Sequence, residues 1–141
     1  MPRVQFLHGT DDRIQAAAAW IAAAWSRRER VTVFAPQREL AERLDRQLWI
    51  APAIGFIPHC RGDSPLAAET PVVITDRILG SETTPSLLNL SDEMPGDMAG
   101  FDTLVEIVST DDAVRLPARD RARQYKEQGC EVQFKDIASG L

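Results

Sequence analysis

Two short strings hold the residue types from which a catalytic site could be built: His8-Gly9-Thr10-Asp11-Asp12 near the N-terminus, and His59-Cys60 further on. Neighbouring carboxylates serve acid–base chemistry, and an imidazole can activate a thiol as a nucleophile. The spacing argues against both. Nucleophile and base normally converge from different elements, whereas His59 and Cys60 are consecutive. Asp11 and Asp12 stand where a helix begins, where carboxylates cap free N–H groups and offset the helix dipole. Two histidines and two cysteines without C-x-x-C or H-x-x-x-H spacing make a poor metal site. No G-x-x-x-x-G-K-[ST] or G-x-G-x-x-G occurs, and adjacent carboxylates would repel a phosphate. His8 reads as a turn histidine, Arg61-Gly62-Asp63 as a polar turn and Asn89-Leu90-Ser91 as plain chain. The expectation is a chain without catalytic residues, cofactor or metal.

Binding chemistry is better represented. Arg115, Arg119, Arg123 and Lys126 are spaced i, i+4, i+8 and i+11. On a helix they fall in a stripe about 80° wide. Val114, Ala118, Ala122 and Tyr125 share the neighbouring face, which would dock on the rest of the protein. A solvated basic face is the plain alternative. In a chain of net charge −5, however, four aligned cations would suit an acidic peptide, with arginine forking two hydrogen bonds onto a terminal carboxylate. Direct single-strand DNA binding fits less well, because no aromatic platform is interleaved with those cations and the chain has no overall basic footprint.

The elements that must position these residues alternate. Val4–Leu7 reads as a strand, followed by a helix capped by Thr10 or Asp11 and carrying Ile14, Ala17, Ala18, Ile21, Ala24 and Trp25 at helical spacing. Val31–Phe34 is almost wholly β-branched or aromatic, the mark of a buried strand. Leu40, Leu44, Leu48 and Trp49 mark a second amphipathic helix. Val72–Thr75 and Thr103–Val108 are strands, and Leu87–Leu90 is a candidate short one; Glu93–Gly100 reads as a loop. A helix over roughly 111–128 stops at Gly129, and 131–134 closes the chain as a strand. Strand–helix alternation is built most economically from parallel strands with right-handed crossovers. At 141 residues, 44% of them hydrophobic and 26% charged, the expectation is α/β: one three-layer Rossmann-like domain over residues 1–141 with a mostly parallel central sheet. The longest apolar run, Ala16–Trp25, is too short to span a membrane, the N-terminus lacks a signal layout, and the two cysteines read as free thiols; a cytoplasmic protein is expected.

The most distinctive segment is Leu44–His59. Leu44 and Leu48 turn one helical face inward, and Pro52 forces the helix to end near Ala51. Trp49, Ile50, Ile54, Phe56 and Ile57 then supply more apolar material than a connecting loop needs. Such a patch is either core or a surface that another protein covers.

L-D-x-x-L-W, a proline three residues after the Trp, and F-I-P-H resemble the signature of the DNA polymerase III chi subunit family. Thr70-Pro71-Val72-Val73-Ile74 is similar to the strand that follows it there, and Ala118-Arg119-Asp120-Arg121 with Tyr125-Lys126 and Gly129 to the family's last helix, so the resemblance covers nearly the whole chain. It implies a Rossmann-like fold without nucleotide chemistry. It also implies an accessory role in the DNA-directed DNA polymerase complex and two partners: the psi subunit of the clamp loader and the acidic C-terminal tail of single-stranded DNA-binding protein. Trp49, Pro52 and Phe56 match positions on the family's psi-facing side, and Arg119 and Arg123 match its tail-binding helix. Arg115 and Lys126 join them by periodicity alone. Ala122 departs from the pattern, for the family often has an aromatic residue there. The competing expectation is a nucleotide-dependent enzyme using His8, Asp11 and Asp12; stabilisation by ATP, GTP, NAD or a divalent metal in a thermal-shift screen would favour it.

Overall fold

The computed structural model describes residues 2–50, 57–80, 82 and 84–140. Its strands are β1 (Arg3–Thr10), β2 (Val31–Phe34), β3 (His59–Arg61), β4 (Val72–Thr75), β5 (Ser86–Asn89), β6 (Thr103–Ser109) and β7 (Val132–Asp136). The helices are α1 (Arg13–Ser26), α2 (Arg38–Ile50) and α3 (Asp112–Glu127). All seven strands are parallel, in the order β3-β4-β2-β5-β6-β1-β7. This is the three-layer Rossmann-like arrangement expected.

Crossover handedness decides which face each helix covers. Going from β1 to β2 and from β2 to β3 the chain moves toward the β3 edge; from β6 to β7 it moves the other way. Right-handed connections therefore put α1 and α2 on one face and α3 on the other. The apolar core divides accordingly. Ile14, Ile21, Ala41, Leu44 and Leu48 of α1 and α2 pack with Val33, Ile74, Leu88 and Ile107. Ala118, Ala122 and Tyr125 of α3 pack with Val4, Phe6, Leu87 and Leu104.

Several boundaries differ from the sequence reading for reasons of pairing. β1 runs on through His8 to Thr10, because β6 and β7 bond to it on either side, so His8 is a strand residue. The N-cap of α1 is Asp12, whose carboxylate accepts the Gln15 N–H at 3.0 Å; it is neither Thr10 nor Asp11. β3 went unread because three residues in a Pro/Gly-rich stretch carry no periodicity, and only β4 holds them in the sheet.

Gly9 interrupts the β1–β6 register at φ +94°. A Cβ there would lie 2.6 Å from Asp136 Oδ1, which already accepts the Ala138 N–H. Gly9→Ala is expected to cost about 1–3 kcal/mol through left-handed strain and this clash, measured by urea denaturation.

Candidate functional site

In a doubly wound sheet, the crevice between strands whose helices go to opposite faces is the usual ligand site. Here it opens between the C-terminal ends of β1 and β6. Its groups are already engaged. Asp12 caps α1, and Asp111 caps α3 by accepting the Ala113 N–H at 3.0 Å. Arg13 fills the floor: Nε donates to Ile107 O at 3.1 Å, Nη2 to Ser91 O at 2.6 Å and Nη1 to Asp92 at 3.3 Å. Burial pulls its pKa down, against the neighbouring carboxylates of Asp92 and Glu106. A phosphate at either helix N-terminus would meet a carboxylate already in place. His59 and Cys60, as consecutive strand residues, point to opposite faces of the sheet.

The Leu44–His59 segment is assembled at the β3 edge. Leu44 and Leu48 of α2 and Ile57 are fully buried in the core. Between them and solvent lies His59, whose side chain is inaccessible. Its Nδ1 lies 2.7 Å from Ile57 O. Nε2 lies 3.3 Å from Asp45 Oδ1 but off the angle of a hydrogen bond. Trp49 sits edge-on to the imidazole, with ring centroids 4.8 Å apart. The motif is thus one unit: Asp45 and Trp49, a turn apart on α2, clasp His59 from β3. Trp49 nevertheless remains 57% exposed and Ile50 72%. Of the three residues expected on the psi-facing side, Trp49 is at the surface; Pro52 and Phe56 lie outside the described residues.

The basic stripe lies on the opposite face. Arg115, Arg119, Arg123 and Lys126 are all exposed on α3. Arg123 pairs with Asp120 at 3.1 Å and Arg115 with Asp112, three residues back in each case. Exposed pairs of this kind are worth less than about 1 kcal/mol, so an anionic ligand can displace them. Among the described residues no carboxylate pairs with Arg119 or Lys126.

A buried network orients this stripe, and sequence reasoning missed it. Arg121, 2% exposed, donates Nε and Nη2 to the two oxygens of Glu106 at 3.0 and 2.9 Å. Tyr125 Oη and Asn89 Nδ2 donate to the same carboxylate at 2.6 and 2.8 Å. Burial, then the anionic Glu106, pushes the Tyr125 hydroxyl far up, so it stays a donor. Burial opposes the charge on Arg121, but its bonds to Glu106 outweigh that and raise its pKa. Residues two apart on a helix point about 200° apart, so pinning Arg121 inward turns Arg119 and Arg123 outward. The signal was present: an acid amid the apolar run of β6, and an arginine on the face of Ala118 and Tyr125.

The α2 patch and the α3 stripe stand on opposite faces and near opposite edges of a seven-stranded sheet. Six interstrand steps, roughly 30 Å, separate β3 beneath Trp49 from β7 beneath Lys126.

The family model described as DNA polymerase III chi subunit, HolC, matches residues 1–133. The chain is similar to the DNA polymerase III subunit chi of Pseudomonas aeruginosa, 31% identical over 86% of this chain and 84% of that protein. It is also similar to the subunit chi of Haemophilus influenzae, 26% identical over 82% and 81% of the two chains. For Escherichia coli subunit chi the figures are 27% over 77% and 74%.

Proposed function

Since this chain belongs to the DNA polymerase III chi subunit family, we propose that it is a non-catalytic adaptor of the bacterial replicative polymerase. In this reading it works in the cytoplasm during DNA replication and joins the psi subunit of the clamp loader to the acidic C-terminal tail of single-stranded DNA-binding protein. The observation that carries the reading is the separation of two unlike surfaces. Trp49 and Ile50 offer psi an apolar anchor at the β3 edge; Pro52 and Phe56 join this site on the family resemblance of their motif. Arg115, Arg119, Arg123 and Lys126 offer the tail an ionic one on α3. Two partners can then bind at once without meeting. The Asp12 and Asp111 caps and the engaged Arg13 weigh against the nucleotide-enzyme alternative.

The tail half is tested with a fluorescent acidic peptide ending in a hydrophobic residue with a free carboxylate. Binding is expected to weaken with salt, and about tenfold or more in Arg119→Ala and Arg123→Ala, since a charge-assisted bond to a carboxylate contributes about 1.5–3 kcal/mol. Equal binding of the C-terminally amidated peptide would rule out the carboxylate grip.

A further inference from the structure

We infer that His59 is a positioning residue for Trp49 and that it acts through its charge: with both ring nitrogens protonated, it draws Asp45 inward and closes the α2–β3 clasp behind the indole. The consequence for psi binding rests on the adaptor reading above; the effect on Trp49 itself does not. The partners of the two nitrogens place the protons. Nδ1 lies 2.7 Å from the carbonyl oxygen of Ile57, which can only accept, so Nδ1 carries a hydrogen and donates it. Nε2 is buried, has no hydrogen-bond partner among the described residues, and lies 3.3 Å from Asp45 Oδ1. In a neutral ring that nitrogen presents a lone pair to a carboxylate oxygen, two acceptors in contact. A second proton turns the same contact into a charge-assisted attraction.

The two side chains differ in freedom. That of His59 is inaccessible, whereas that of Asp45 is 35% exposed and can turn onto Nε2 or out to water. Asp45 and Trp49 stand at i and i+4 on α2, and the indole rests on the imidazole with centroids 4.8 Å apart. Closing Asp45 onto His59 therefore ties down the end of α2 that carries Trp49, and opening it loosens that end. The surroundings leave Asp45 as the deciding charge. β4 sets Val72 beside His59, and residues 51–57 contain no ionisable side chain. Elsewhere on α2, Arg38 and Glu42 pair with each other at 3.0 Å, while Arg43 and Arg46 line a cavity with Asp12 of the α1 cap. Arg61, next on the same face of β3, lines a different cavity with Arg38, Glu42, Asp63, Asp76 and Arg77, where acids and bases balance.

Proton NMR on the full chain from about pH 5 to about pH 8, the range over which histidines change charge, tests this. The His59 ring and Trp49 indole signals, assigned through His59→Phe and Trp49→Phe, are expected to move together with one midpoint. Asp45→Asn keeps the size of the side chain and offers an amide N–H to a neutral Nε2, so its Trp49 signal should no longer follow pH. Because that change leaves the buried ring in place, it separates loss of the charge from loss of the fold. Psi affinity should fall about fivefold or more from the acid to the alkaline end of the range, and the difference should disappear in Asp45→Asn. A Trp49 signal that does not follow His59, or that follows pH equally well in Asp45→Asn, overturns the inference. So does a pH-independent psi affinity in a chain whose Trp49→Ala variant binds psi weakly. If Trp49→Ala binds psi as wild type does, the psi reading fails, and the NMR titration alone decides the role of His59.

Discussion

Replacing Arg121 with Met is expected to lower folding stability by about 3–5 kcal/mol, a large share of the 5–15 kcal/mol typical of a domain. Glu106 is wholly buried, and its carboxylate receives donors from Arg121, Tyr125 and Asn89. Removing Arg121 leaves that charge without a hydrogen-bonded cation; Arg13 acts on it only at longer range, and neither Tyr125 nor Asn89 can neutralise it. The pair is costly to break and cheaper to replace. Glu106→Leu combined with Arg121→Met removes both charges, so the double variant should be more stable than Arg121→Met alone. Urea unfolding of the two variants and the wild type measures this. A loss below about 1 kcal/mol for Arg121→Met would show that the network is not what holds α3. The network also bears on function, because it sets which arginines of Arg119-Asp120-Arg121-Ala122-Arg123 reach solvent.

Trp49→Ala is expected to weaken binding of a psi partner by about 2–4 kcal/mol, or roughly 30- to 1000-fold, with little loss of folding stability. The asymmetry follows from position. The indole is more than half exposed and rests edge-on against His59, while the core beneath consists of Leu44, Leu48 and Ile57. An anchor braced on a buried side chain is already ordered before the partner arrives, which keeps the entropic cost of binding low. Calorimetry with purified psi, alongside a thermal melt of the free variant, separates the two effects. Undiminished psi affinity would move the interface away from the end of α2.

Much of the scaffold was legible in the amino acids. Val31–Phe34 and Val72–Thr75 coincide with β2 and β4, because a short run of β-branched and apolar residues has few other uses. The end of α3 was set by local chemistry, with Gly129 at φ +87° beyond it. The stripe of Arg115, Arg119, Arg123 and Lys126 followed from 100° per residue and is exposed as expected. His8 and β3 were misread or missed because their strand character comes from neighbours distant in the chain.

By itself, then, the sequence determined the family, the order of elements, and the existence of one apolar and one cationic surface. Those depend on residue type and short-range spacing, which a linear reading contains. Tertiary structure alone decided that His59 is clasped between Asp45 and Trp49, that Arg121 turns inward to Glu106, and that Phe134 reaches Lys126. It also decided that the two surfaces lie on opposite faces of the sheet. Each of these is a meeting of residues from separate elements, set by crossover handedness and strand order. No spacing along the chain encodes them.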